Sequence, residues 1–201
     1  MVARILLEDG SLITGKGFGH YGTAFGEIVF NTGMTGYQEI LTDPSYAGQV
    51  VTMTYPLVGN YGINNGDIES QRVQVSGFIV KEYATKPSHW ELVKTLDTYL
   101  AENKIVGVSD VDTRMITKKI RTIGAMNCVI TTDSSLTIED LEKQLDTYFF
   151  PADIVKRVST KEIIQYEPEI NNGVSIGIVD LGLKIGIVKQ LVQRGCSVSV
   201  Y

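Results

Sequence analysis

The side chains of this 201-residue sequence that could carry nucleophilic, acid–base or metal chemistry are few: two cysteines, two histidines and scattered carboxylates. Catalysis by a cysteine or serine nucleophile needs a side chain raised on a strand-to-helix elbow beside a base. Cys128 lies in MNCVI and Cys196 in RGCSVSV, apolar contexts that predict buried thiols kept reduced, and no serine occupies a G-x-S-x-G elbow. His20 and His89 have no partner at ligand spacing, so no metal site is expected and both are assigned to surface or loop positions. In Asp110-Val-Asp112-Thr113-Arg114 the simplest account is a helix start, with Asp112 as the cap and Arg114 available to a carboxylate. Lys118, Lys119 and Arg121 form a modest basic stripe of the kind that faces solvent. Gly17-Phe-Gly19-His-Tyr-Gly22 fits G-x-G-x-x-G, but a dinucleotide site requires a helix next and TAFGEIVF has a strand pattern. Its glycines are expected at turns with positive φ. No cofactor is expected on these residues.

A different concentration of polar groups occupies Asn31–Tyr46, NTGMTGYQEILTDPSY. Gly33 and Gly36 permit a tight backbone, Thr35 is placed to cap a short helix, and Tyr37, Ile40 and Leu41 supply its buried side. Gln38 and Glu39 are then polar groups serving either internal hydrogen bonds or a partner surface. Ser45, in the Asp43-Pro44-Ser45 stop, reads by itself as a turn residue.

The elements that must position these groups change period along the chain. ARILLE, the Asp9-Gly10 hairpin signal, SLITGKGFG, GEIVF, QVVTMTY and VQVSGFIV make the first part rich in strands, with PLVGNYGINNGD as a loop. From residue 89, HWELVKTLDTYLAEN has helical spacing through Leu92, Val93, Leu96, Tyr99 and Leu100; KIVGVSD is then a short apolar run, Asp112 opens a helix, AMNCVITTD is a strand, and Thr137 opens a further helix. Pro151 begins a polar connector over 151–173. Beyond it, VSIGIVDLG, LKIGIVKQLVQRG and CSVSVY predict a parallel strand-helix-strand unit with an apolar last strand exposed at its edge. Such a unit cannot cover both faces of a parallel sheet, so most of a second domain is expected to be missing.

Composition bounds the partners. With 43% apolar and 20% charged residues the chain is ordinary globular material, and it is long enough to bury most of its unfolded surface. A formal charge of -5, a pI near 5.1 and no cationic cluster argue against nucleic acid. There is no apolar run of about 18 residues and no signal-peptide core, so no membrane partner is expected and the cytosol is the expected location.

Several stretches together closely resemble the small, glutamine-hydrolysing subunit of carbamoyl-phosphate synthase: LEDG at 7–10, GEIVFNTGMTGYQEILTDPSYAGQVVTMTYPLVGNYG at 26–62, SDVDTR at 109–114 and IVDLGLK at 178–184. The resemblance implies an α/β chain. Residues 1–150 would be a three-layer β/β/α domain that packs on the large synthetase subunit, 151–173 a linker, and 174–201 the truncated start of a flavodoxin-like class I glutamine amidotransferase domain. It further implies that the catalytic Cys, His and Glu lie after Tyr201, that Cys196 is not the nucleophile, and that this chain alone is inactive. In the complete subunit, ammonia from glutamine would pass to the large subunit, where bicarbonate and ATP yield carbamoyl phosphate for arginine or pyrimidine synthesis. The resemblance assigns Ser45 to glutamine binding, a role suited to a hydroxyl that both donates and accepts on a loop fixed by Pro44. The competing expectation is a non-catalytic scaffold that docks on a synthetase partner. One departure is that the family often has an Asn following the Lys of D-x-G-x-K, whereas this chain reads Asp180-Leu-Gly182-Leu-Lys184-Ile-Gly186.

Overall fold

A computed structural model describes the chain from Met1 to Tyr201. The alternation of its first residues gives β1 (Val2–Leu7), which turns at Asp9-Gly10 into β2 (Leu12–Gly19) with Leu6 opposite Leu12 and Gly10 at φ +81°. β3 (Thr23–Asn31), α1 (Tyr37–Thr42), a single 3-10 turn over Pro44–Tyr46 and β4 (Gln49–Met53) follow. Next come the short β5 (Leu57–Val58), β6 (Gly77–Ile79) and β7 (Glu82–Tyr83), with β5 and β7 paired in parallel. α2 (Leu96–Glu102), β8 (Val106–Ser109), α3 (Thr113–Ile123), β9 (Met126–Thr131) and α4 (Ile138–Asp146) complete the first unit.

Seven strands close into a barrel in the order β1-β2-β8-β6-β4-β3-β9, and β9 returns to β1 with Ile130 opposite Ile5. The two β layers that the resemblance implies are joined in one continuous sheet, and closure leaves none of its strands with a free edge. Strand pleating sends alternate residues inward. Ile5, Ile28, Val50, Val108 and Ile130 meet there, and α3 inserts Ile116 and Ile120 into the same cluster, so the helix plugs the barrel. Burial of each such side chain contributes about 1.5–3 kcal/mol. The outer faces are covered by α1 and α2 over Phe18, Val51 and Phe78, and by α4 over Leu6 and Val129. Gly77 belongs to this interior because a β-carbon there would lie 2.3 Å from Cδ1 of Ile130.

Local chemistry sets most helix ends. The Asp112 carboxylate accepts the Met115 N–H at 2.9 Å to start α3, and Thr137 with Asp140 makes a reciprocal capping box on α4. α2 begins later than its apolar spacing predicts. Val93 donates to the Ile63 carbonyl at 2.8 Å and Ile63 to the Lys94 carbonyl at 2.9 Å, a small antiparallel pairing that keeps the preceding residues out of the helix. The glycine motif also divides: Gly19, the last residue of β2, and Gly22 have φ +71° and +154°, whereas Gly17 lies in the interior of β2, where a β-carbon would come 2.5 Å from the Thr132 side chain.

The remaining residues build a second, smaller sheet. β11 (Ser175–Ile178), α6 (Ile185–Gln193) and β12 (Ser197–Val200) form the expected parallel strand-helix-strand, with Ile176 opposite Val198. Within 151–173 the chain forms α5 (Ile154–Val158) and β10 (Ile164–Tyr166), and β10 adds antiparallel to β12. The β12 edge expected to be exposed is thus paired on both sides, and the open edges of this sheet belong to β10 and β11.

Candidate functional site

The stretch from Asn31 to Tyr46 carries the chain from the barrel to the seam with the second sheet. Gly36, at φ +81°, stands at the start of α1 with no side-chain cap, so the capping role expected of Thr35 is not taken. Tyr37 is buried, stacks on Tyr61 with ring centroids 4.3 Å apart, and donates its hydroxyl to the Gly62 carbonyl at 2.5 Å. Gln38 is wholly buried. Its amide nitrogen donates to the Asn64 carbonyl at 2.6 Å while its oxygen accepts the Asn64 N–H at 2.9 Å, so it serves the interior and not a partner surface. Burial pushes the Glu39 carboxyl above the ordinary glutamate range, and one of its oxygens is enclosed with no hydrogen-bond partner.

The end of α1 is tied to the loop after β5. Thr42 Oγ1 accepts the Glu69 N–H at 2.9 Å, and Ser70 Oγ donates to the Thr42 carbonyl at 2.6 Å. Asp43 comes next and is 5% exposed. One of its oxygens accepts the Ser45 N–H at 2.9 Å and fixes the 3-10 turn; the other meets Lys184 Nζ of the second unit at 2.5 Å. That carboxylate holds the Lys184 ammonium above its usual value. Pro44 packs toward Gly182, whose β-carbon position lies 3.3 Å from Pro44 Cβ. Ser45, the residue singled out for substrate contact, is exposed on this turn.

Across the seam, the loop from β11 to α6 is shaped by Asp180. Its carboxylate accepts the N–H groups of Gly182 at 2.8 Å, Leu183 at 2.7 Å and Thr160 at 2.7 Å, and Gly182 adopts φ +110°. Glu69 reaches α6 from the first unit: its backbone oxygen accepts the Ile185 N–H at 2.9 Å and its carboxylate the Gly186 N–H at 3.0 Å. Gly186 has a local reason, since a β-carbon there would sit 3.0 Å from the Glu69 carboxylate; close packing here offsets the ~1 kcal/mol that glycine costs a helix. Pro44, Glu69, Arg72, Arg157, Asp180 and Ile185 line part of a cleft of about 730 Å³ between the two units. The Ser45 turn thereby stands at the carboxyl end of a parallel strand, where open α/β sheets bind ligands.

The other candidates are dispersed. Cys128 and Cys196 are buried free thiols, and burial pushes the Cys128 thiol up, which leaves it a poor nucleophile. His89 is exposed beside Trp90, and His20 is half-buried. Asp110 pairs with Lys16 at 3.0 Å, while Asp112 is the cap described above. No three His, Cys, Asp or Glu side chains gather as a metal site, and no helix is long and apolar enough to cross a membrane. Residues that sequence reasoning missed are Glu69 and Lys184, which join the units, and the Gln38 clamp. The D-x-G-x-K spacing was the available signal for Lys184; Glu69 had none.

The family described as "Carbamoyl-phosphate synthase small chain, CPSase domain" matches residues 5–130. The carbamoyl phosphate synthase small chain of Clostridium perfringens is 47% identical over 201 residues, covering 100% of this chain and 56% of the relative. That of Clostridium acetobutylicum is 49% identical over 197 residues, with 98% and 55% covered. The carbamoyl phosphate synthase pyrimidine-specific small chain of Bacillus subtilis is 46% identical over 200 residues, with 100% and 54% covered. The chain spans about half the length of these curated relatives. With most of the barrel inside the matched region and the similarity running through the second sheet, the chain belongs to the carbamoyl-phosphate synthase small-chain family.

Proposed function

We propose that this chain supplies the first part of a glutamine-hydrolysing subunit: residues 1–150 as the domain that docks on the large synthetase subunit, 151–173 as the connector, and 174–201 as the opening of a flavodoxin-like amidotransferase domain. In the assembled enzyme, ammonia released from glutamine passes to the large subunit and is used with bicarbonate and ATP to make carbamoyl phosphate. The catalytic cysteine, histidine and glutamate are assigned to the part of the subunit after Tyr201, and Cys128 and Cys196 take no part in hydrolysis. No cofactor is assigned to these residues, and the cytoplasm is the proposed location.

Ser45 contributes to holding glutamine. The supporting observation is its turn, fixed by Asp43 and abutting Gly182, which leaves the side chain exposed at the junction of the two units. A hydroxyl there can accept from the ammonium of an amino acid or donate to its carboxylate. In the full-length subunit with its synthetase partner, Ser45→Ala is expected to raise KM for glutamine about tenfold or more, the effect of one hydrogen bond to a charged group, and to leave ammonia-dependent synthesis unchanged. Equal loss with both nitrogen sources would assign Ser45 to folding or docking instead.

A further inference from the structure

α6 begins without a cap from its own chain neighbours: Lys184 occupies the position before it and offers no acceptor to the first turn. The acceptors arrive from the barrel unit. Glu69 takes the Ile185 N–H on its backbone oxygen at 2.9 Å and the Gly186 N–H on its carboxylate at 3.0 Å, where a negative charge also complements the helix dipole. Glu69 is itself held, because its N–H is bound by Thr42 Oγ1 at 2.9 Å, and Thr42 immediately precedes the Asp43-Pro44-Ser45 turn. Two covalent steps therefore separate the residue that Glu69 grips from the Pro44 that touches Gly182. The absence of a side chain at Gly186 completes the fit, since any β-carbon would lie 3.0 Å and 3.2 Å from the two carboxylate oxygens.

We propose that Glu69 is a positioning residue of the glutamine site: by capping α6 from the first unit while anchored to Thr42, it sets the distance between the second unit and the Ser45 turn. The proposal rests on the reading of Ser45 given above. The Glu69 carboxylate is engaged by the Gly186 N–H, so its loss should be felt as weaker glutamine capture and not as slower chemistry on captured glutamine.

The test uses the full-length subunit assembled with its synthetase partner, assayed with glutamine and separately with ammonia. Glu69→Ala is expected to raise KM for glutamine about tenfold, the size of a lost cap, with kcat and the ammonia-dependent rate within about twofold of the parent. Glu69→Gln retains an oxygen acceptor and should stay within about threefold. Gly186→Ala approaches from the other side: alanine is the better helix residue, yet its methyl displaces Glu69, so KM should rise while the ammonia rate holds. An unchanged KM in Glu69→Ala, or a parallel fall in both rates, would overturn the proposal. Ser45→Ala, run alongside, separates the two readings. A KM rise in Ser45→Ala but not in Glu69→Ala defeats the role of Glu69 alone, while the reverse pattern defeats the reading of Ser45 and, with it, the proposal that Glu69 acts by placing the Ser45 turn.

Discussion

Replacing Gln38 by methionine isolates what its amide does, because the two side chains have similar length and volume and the residue is wholly buried. Two contacts would be lost, the 2.6 Å bond to the Asn64 carbonyl and the 2.9 Å bond from the Asn64 N–H. Asn64 is 7% exposed, so water cannot readily replace either partner. Each abandoned backbone group costs roughly 1–3 kcal/mol, and the thioether buried in place of an amide offsets part of that, which leaves a net loss of about 2–4 kcal/mol. For a chain of this size that corresponds to a fall in Tm of about 5–12 °C. Urea unfolding read by circular dichroism should show a lower midpoint with an unchanged slope. Hydrogen exchange of the Asn64 amide should accelerate by the same free energy or more. A loss below about 0.5 kcal/mol would refute the reasoning, since Asn64 would then find its partners elsewhere. Because Asn64 opens the loop that carries Glu69, the same variant should also bind glutamine more weakly in the assembled enzyme.

Two other perturbations follow from the geometry. Gly77→Ala should destabilise the barrel by about 1–3 kcal/mol, and much of that cost should vanish in an Ile130→Val background, which removes the Cδ1 atom lying 2.3 Å from the new β-carbon; additive effects in urea titrations would show that this contact does not demand glycine. Glu39→Gln should stabilise the protein at neutral pH, because the uncharged amide avoids the desolvation that burial imposes on the carboxylate. Burial raises the folded-state pKa of Glu39, so its penalty is present above that value and disappears below the ordinary 4.5; stability curves of parent and variant should therefore converge as the pH falls through this window, and a constant gap would refute the assignment.

What could be read from the sequence was local. The Asp9-Gly10 hairpin, the caps at Asp112 and Thr137 and the parallel pair around α6 all depend on residues near one another in the chain, and each formed where its spacing indicated. Pairings between distant segments were not legible. Leu92 and Val93 carry helical spacing, but Ile63 claims their neighbourhood for a bridge, and tertiary hydrogen bonding overrides propensity. Gln38 could have faced a partner until its two bonds to Asn64 were seen, 26 residues away. Glu69 is 117 residues from the helix it caps, a distance over which no sequence periodicity operates. Closure of the barrel was hidden for the same reason, since alternation identifies a strand and its inward face but not its neighbours.

The seam between β1 and β9 also bears on how the chain is made. Arg4 finds its partner only at Thr131, so the first strand leaves the ribosome long before the strand that completes its pairing exists. At typical elongation rates of about 5–20 residues per second, that interval is roughly 6–25 s. During it the outer side of β1 stays unpaired, and until β8 emerges that of β2 does as well, a state open to mispairing with other nascent chains. Such non-local closure predisposes a domain to slow folding, and the last barrel strand to emerge, β9, is the one that ends the exposure.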